Sequence, residues 1–298
     1  MKIKSLLKIV IGAIVITIYS VTPAFSQELV DEVVGDRKLS VGLGFPDSSL
    51  KFQGNIGFGV GLVPEYEGSD DFNVMALPLV DIRKPGVFFI KGSSINPNDG
   101  LASAGITILH ISYLEKSSLS AQLVMGPFVR FQGGRDEDDS KVLNGLGDID
   151  PSAGLGGFME FTAGPLLANV TISSQDVGDD KDGLLATLYA KYAISISDKL
   201  TISPGLSTSW ADNEYMQGFF GVTDTQAARS GLPRFDSESD FKDIGVQLHT
   251  SYALSKRLLI DSQVGYWRLL NDAADSPIVN NEGSTNQIRG IIGLSYCF

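Results

Sequence analysis

Few side chains in this 298-residue chain have types and spacing suited to chemistry. His110 and His249 are the only histidines. Ser251 follows His249 by two, so in a strand both would share one face, a hydroxyl beside a base. A working pair needs a third group to orient the imidazole, and none is evident. The simpler reading is an ordinary polar histidine. Two acidic runs, Asp136-Glu137-Asp138-Asp139 and Asp179-Asp180 with Asp182, suit Ca²⁺ or divalent bridging to lipopolysaccharide phosphates. Neither matches the twelve-residue calcium loop with its closing glutamate, so they read as solvated loops. Arg130, Lys191, Asp261 and Arg289 fall on the polar parity of candidate strands. Charges enclosed there need partners, either a salt-bridge network or the lining of a narrow pore. The single cysteine, Cys297, excludes an internal disulfide. A formal charge of −12 and the lack of a basic patch exclude nucleic acid as a partner. No catalytic, metal or cofactor site emerges.

These residues must be positioned by strands. The N-terminus sets the compartment. Lys2, Lys4 and Lys8 precede the apolar run Ile9–Tyr19 and the small-x-small site Ala24-Phe25-Ser26. That is a secretory signal over residues 1–26, with cleavage expected after Ser26. No cysteine stands at the cleavage point, which argues against a lipoprotein. No later stretch approaches 18 apolar residues, so membrane residence would have to be as a barrel. Residues 27–53 begin polar and acidic (QELVDEVVGDRKL) and read as a loose periplasmic segment.

From residue 54 the chain divides into alternating runs. Strands are expected at Gly54–Val63, Phe72–Arg83, Val87–Gly92, Leu101–Ile111, Leu119–Phe131 and Pro151–Phe161. Six more follow at Pro165–Gln175, Leu184–Ile196, Leu200–Ala211, Phe241–Leu254, Arg257–Leu269 and Thr285–Phe298. Most reach 10–14 residues, enough to cross a bilayer when tilted. The connections alternate short (Lys84-Pro85-Gly86, Ser197–Lys199, Ser255-Lys256) and long (Ser93–Gly100, Gln132–Asp150, Asp212–Asp240, Asn271–Ser284). The expectation is an all-β, transmembrane, antiparallel up-and-down β-barrel of about 12 strands over residues 54–298. It has short periplasmic turns and long extracellular loops. Aromatics near strand ends, among them Tyr252, Tyr266, Trp267 and Tyr296, suit interfacial girdles. In the last strand Ile292, Leu294, Tyr296 and the terminal Phe298 share one face.

That last strand resembles the final strand of outer-membrane barrels, which the barrel-assembly machinery reads as an address. The loops carry a second resemblance. They hold Pro64-Glu65-Tyr66-Glu67-Gly68-Ser69-Asp70 and Gly134-Arg135-Asp136-Glu137-Asp138. A longer run has Trp210, Tyr215, Phe220-Gly221 and Ser230-Gly231-Leu232-Pro233, and the last loop has Ser276-Pro277. Taken together these resemble the MipA/OmpV family of MltA-interacting outer-membrane proteins, across essentially the whole chain from about Gly54. The resemblance implies outer-membrane lipid and lipopolysaccharide surroundings and no catalytic motif. It also implies a non-enzymatic scaffold linking a murein hydrolase to a murein synthase. A small-solute channel, or a porin-like role in adhesion or envelope stress, is the alternative. The apolar piece Phe219–Val222 inside a long polar connection reads as a cap over the barrel mouth.

Overall fold

Alternation of side chains across a strand lets one face meet lipid while the other lines an interior. The computed structural model describes residues 27–34, 37–43, 52–115, 118–178, 181–281 and 283–298. The expected signal segment 1–26, Asp179 and Asp180 lie outside the described residues. Two strands precede the barrel, β1 (Gln27–Val34) and β2 (Arg37–Leu43). The wall is built from β3 (Gln53–Pro64), β4 (Phe72–Lys84), β5 (Phe88–Gly92), β6 (Ala102–Ile106), β7 (Leu109–Glu115), β8 (Ser118–Gln132) and β9 (Ser152–Ala163). It continues through β10 (Leu166–Asp176), β11 (Asp182–Tyr192), the two-residue β12 (Ile194–Ser195), β13 (Leu200–Ala211), β14 (Asp240–Ala253), β15 (Leu258–Leu269) and β16 (Asn286–Cys297).

Every pairing in the wall is antiparallel. β16 pairs with β3, from Gly290 opposite Leu62 to Cys297 opposite Asn55. The path from β3 through β4, β5 and β6 to β8 meets the path from β16 through β11 and β10 to β9 at a β8–β9 ladder. The ring therefore closes with twelve staves, each paired on both sides over at least part of its length. Phe58, Val74, Leu155, Leu206 and Ile292 point outward and are exposed. Among the described residues no helix is long and apolar enough to cross a membrane; the strands do so instead.

Two expectations change. The stave expected at Leu101–Ile111 is broken at Thr107, a buried residue whose amide donates to Val87 O at 2.8 Å. Its upper part, β6, pairs with β5; its lower part, β7, runs on past the point where β5 begins and would be an open edge. Within the segment expected to be loose, residues 27–34 and 37–43 are strands. β2 pairs along all of β7, from Arg37 opposite Glu115 to Leu43 opposite Leu109, and β1 pairs with β2. Unpaired strand edges are costly, and the N-terminal hairpin supplies the missing partner. β2 alternates as the wall does, with Ser40 and Gly42 buried and Leu39 and Leu43 exposed.

The long connections carry short helices that the alternation does not announce. These are α1 (Asn213–Phe220), α2 (Asp224–Ser230), α3 (Asn271–Asp275) and α4 (Pro277–Asn280). Each of the longer two starts on an N-cap side chain. Asp212 accepts from the Tyr215 amide. Thr223 and Gln226 form a capping box, and Gly231 (φ 78°) ends α2 in the left-handed conformation.

Candidate functional site: a lumen sealed on its outer side

The site begins with a break in alternation. Along β13 and β14, Ser209 lies opposite Asp243 and Trp210 opposite Phe241, so Lys242 is a one-residue bulge. The bulge turns two consecutive charged residues inward, and both Lys242 and Asp243 are wholly buried. Lys242 Nζ lies 2.8 Å from Asp243 Oδ2 and also contacts Glu67 Oε1, which descends from the β3–β4 loop. Ser209 Oγ donates to Asp243 Oδ2 at 2.8 Å. Asn98 Nδ2 reaches both Asp243 oxygens at 3.0 and 3.2 Å. A buried carboxylate needs this many partners.

Asn98 comes from the far wall. In the ring order β6 stands six staves from β14, directly across the barrel. The β5–β6 loop must therefore cross the lumen. It does so as a 3-10 turn, Pro97–Asp99, capped by the Asn96 side chain on the Asn98 amide. Ile95, ahead of this turn, is buried against Trp267, Leu79 and Ile291. Trp267 faces the lumen and is not a girdle residue, unlike Tyr266 beside it, whose hydroxyl donates to Asn286 at 2.6 Å. The Trp267 indole donates to Ser207 Oγ at 2.9 Å and lies on a glycine shelf. A Cβ on Gly245 would come within 2.1 Å of the indole, and one on Gly265 within 2.4 Å.

Above the crossing loop, four connections fold into a lid. Tyr66 donates to Ile278 O at 3.3 Å. Gly68 (φ 107°) packs where a Cβ would meet Val279 at 2.5 Å, and its amide donates to Gln287. A Cβ on Gly134 would strike Ile149 O, its neighbour across the bridge formed by Arg135 and Ile149. Arg135 donates to Phe219 O at 3.0 Å. Burial lowers the Arg135 pKa to about 10, against the upward pull of Tyr66 and Asp148. Tyr215 stacks on Phe219 at 4.6 Å, and burial, then the Glu67 carboxylate, raise its phenol pKa. Gly221 caps α1. Ser276 Oγ donates to Phe220 O at 2.6 Å and caps α4, where buried Pro277 opens the helix. Ser230 Oγ accepts from the Leu232 amide, shaping the turn at Gly231. Trp210 is half-buried at the outer end of β13, and Pro233 is exposed. Pro64 is buried at the end of β3. Two carboxylates of the first acidic run bind backbone: Asp136 accepts from the Asp138 amide, and Glu137 from the Gly145 and Gly147 amides at 3.0 Å each.

Below the crossing loop lies a polar cavity of about 260 Å³. Arg130, Lys191 and Asp261 all line it, with Arg83, Lys91, Asp81 and Asp99. Arg289 is not among them; the charges acting on it are Glu67 and Asp243 of the upper cluster. The four charges thus separate into two layers rather than one network. Asp81 and Arg83, nearest the short-turn rim, keep 42% and 28% of their side-chain surface exposed. At the other end Arg130 and Asn98 are buried. The cavity is a cup opening toward the short-turn rim, which faces the periplasm in outer-membrane barrels. Ser251 Oγ donates to Asp261 Oδ1 at 2.6 Å, while His249 Nε2 lies 3.2 Å from Gln247 Oε1. The serine is bonded to a carboxylate, not to the imidazole. His110 lies on β7, away from both.

Sequence reasoning missed Glu67, Ile95, Asn98, Lys242 and Asp243 as interior groups. One signal was present: Lys242-Asp243 interrupts the alternation between Phe241 and Ile244, the mark of a bulge.

The family model described as MltA-interacting protein MipA matches residues 56–298. Among curated proteins, "MltA-interacting protein" of Escherichia coli K12 is 23% identical over 82% of this chain and 90% of its own length. "Putative outer membrane protein YiaT" of Escherichia coli O157:H7 is 21% identical over 76% and 84%. Of solved structures, the NanC porin shares 10% identity over 82% of this chain and 98% of that chain, with a TM-score of 0.36. Closure, register and family match together show that the chain is an outer-membrane β-barrel of the MltA-interacting protein MipA family.

Proposed function

We propose that this protein is a non-enzymatic scaffold of the outer membrane, a barrel shut toward the outside that offers its periplasmic face to murein enzymes. The observation that carries the reading is the N-terminal hairpin. β1 and β2 continue the sheet beside β7, and β1 ends the strand order, so among the described residues no strand takes its far edge. A free strand edge is suited to accepting an extended segment of a partner. Short turns alone would give such a partner little to hold. The curated relative named for an interaction with MltA fits this reading. Ser251 donates its hydrogen bond to Asp261 rather than to His249, so this pair is not arranged as nucleophile and base, which fits a scaffold.

Cross-linking in intact envelopes tests it. A lytic transglycosylase and a murein synthase should co-purify with the full-length protein. Both should be lost when residues 27–43 are deleted behind an intact signal, while the barrel stays heat-modifiable. Recovery of neither enzyme with the full-length protein, under conditions that keep other envelope complexes intact, would reject the scaffold. The polar cup favours a second reading, a small-solute channel. The crossing loop and lid argue against it, and the wild type is expected to be silent in planar bilayers.

A further inference from the structure

The cup holds polar groups that the wall does not satisfy. Arg130 is 2% exposed; its Nη2 donates to Thr171 Oγ1 at 3.1 Å, but Nε and Nη1 have no partner. Gln247 Nε2, Gln263 Oε1 and Tyr189 Oη lack partners too, and all line the same cavity. Tyr189 and Gln247 flank Gly205, where a Cβ would meet the phenol ring at 3.0 Å and Gln247 Cγ at 3.3 Å. Leaving this many buried polar groups unpaired is costly, and native interiors seldom do it without a ligand or solvent to fill the role.

The charges select the ligand. Four cations line the cup, Arg83, Lys91, Arg130 and Lys191, against three carboxylates, Asp81, Asp99 and Asp261. Asp81 is held by both ends of the Arg83 fork, at 3.0 and 2.8 Å. Asp261 is occupied by Ser251 and Asn55. Lys91 reaches Glu160 at 3.9 Å. Arg130 and Lys191 remain, with Asp99 the one lining carboxylate not engaged by these pairs. Among the described residues neither cation forms a salt bridge. With Glu160 counted, four cations face four carboxylates, so what favours an anion is local: the unpartnered donors of Arg130 and a Lys191 ammonium outside any salt bridge. Nη2 keeps a second hydrogen beyond the one on Thr171, and beside the unpartnered Nε or Nη1 it completes a fork that matches a carboxylate or phosphate in a two-bond geometry. A volume of about 260 Å³ sits just below the range of about 300–1,000 Å³ for drug-sized sites.

We propose that the cup binds a monosaccharide-sized organic oxyanion entering from the periplasmic rim. Its anionic group lies on the unpartnered donors of Arg130, Lys191 adds a second positive charge, and its hydroxyls meet Tyr189, Gln247 and Gln263. The site stands apart from the scaffold reading, since neither the hairpin nor a protein partner enters it.

Titration calorimetry on the full-length barrel in detergent tests the proposal with three probes. D-glucuronate carries a carboxylate, glucose 6-phosphate a phosphate, and D-glucose neither. At least one anion should bind, glucose at least tenfold more weakly, and the better anion names the ligand class. Arg130→Gln should weaken that anion by about ten- to hundredfold, the scale of losing hydrogen bonds to a charged group. Heat-modifiability shows whether each variant has folded. Should Arg130→Gln fail to fold, Lys191→Gln decides, with weaker anion binding expected in a folded barrel. Binding of no probe, equal binding of glucose and the anions, or wild-type affinity in the deciding folded variant would overturn the proposal.

Discussion

At the scale of single residues, the interior is organised by a bulge. Lys242 sits between two carboxylates with none of its surface exposed, so its charge is held by Glu67 and Asp243, with the Tyr215 ring 5.8 Å away. Replacing it by methionine keeps the volume and strands both acids. Breaking one side of a buried ion pair costs about 3–5 kcal/mol, so Lys242→Met should lower the denaturation midpoint in micelles sharply. Trp267 is a built-in reporter of the same region. Gly245→Val drives side-chain atoms into the indole and should cost about 1–3 kcal/mol, as overpacking does, while shifting the buried-tryptophan emission. A glycine that looked like ordinary strand composition is thus a packing requirement, visible only once the indole is placed on it.

At the scale of elements, two independent structures close the outer side. The crossing loop ties one wall to the opposite one through Asn98 and Asp243. The lid ties four connections together through Tyr66, Arg135, Phe220 and Ser276. Removing either leaves the other in place. Deleting Ser94–Asp99 together with residues 213–238 should give steady ion conductance in planar bilayers; each deletion alone should conduct much less. The motif residues scattered over four loops make sense in this light. Several of them tie one connection to another, Tyr66 to Ile278, Arg135 to Phe219 and Ser276 to Phe220, so they encode a conformation of the mouth rather than a reactive centre.

At the scale of the whole molecule, the last strand closes the ring and carries the outward row Ile292, Leu294, Tyr296 and Phe298, all exposed. Phe298 also anchors the seam, its amide donating to Gly54 O at 3.1 Å. Deleting it should reduce the heat-modifiable barrel in the outer membrane, read on gels against total protein, without abolishing folding in detergent. The sequence by itself determined the twelve staves of the ring and the alternation of short and long connections. A two-residue period and glycine-rich turns are local properties that survive without knowledge of neighbours. It also identified Arg130, Lys191 and Asp261 as inward-facing, because parity alone decides the face. Only the tertiary structure decided that β7 outruns β5 and takes the N-terminal hairpin as its partner, since that depends on relative strand length around the ring. Only it joined Asn98 to Asp243 and Glu67 to Lys242, pairs separated by more than 140 residues. Closing a barrel brings opposite walls within reach of one loop, and no local pattern records which side chains then meet.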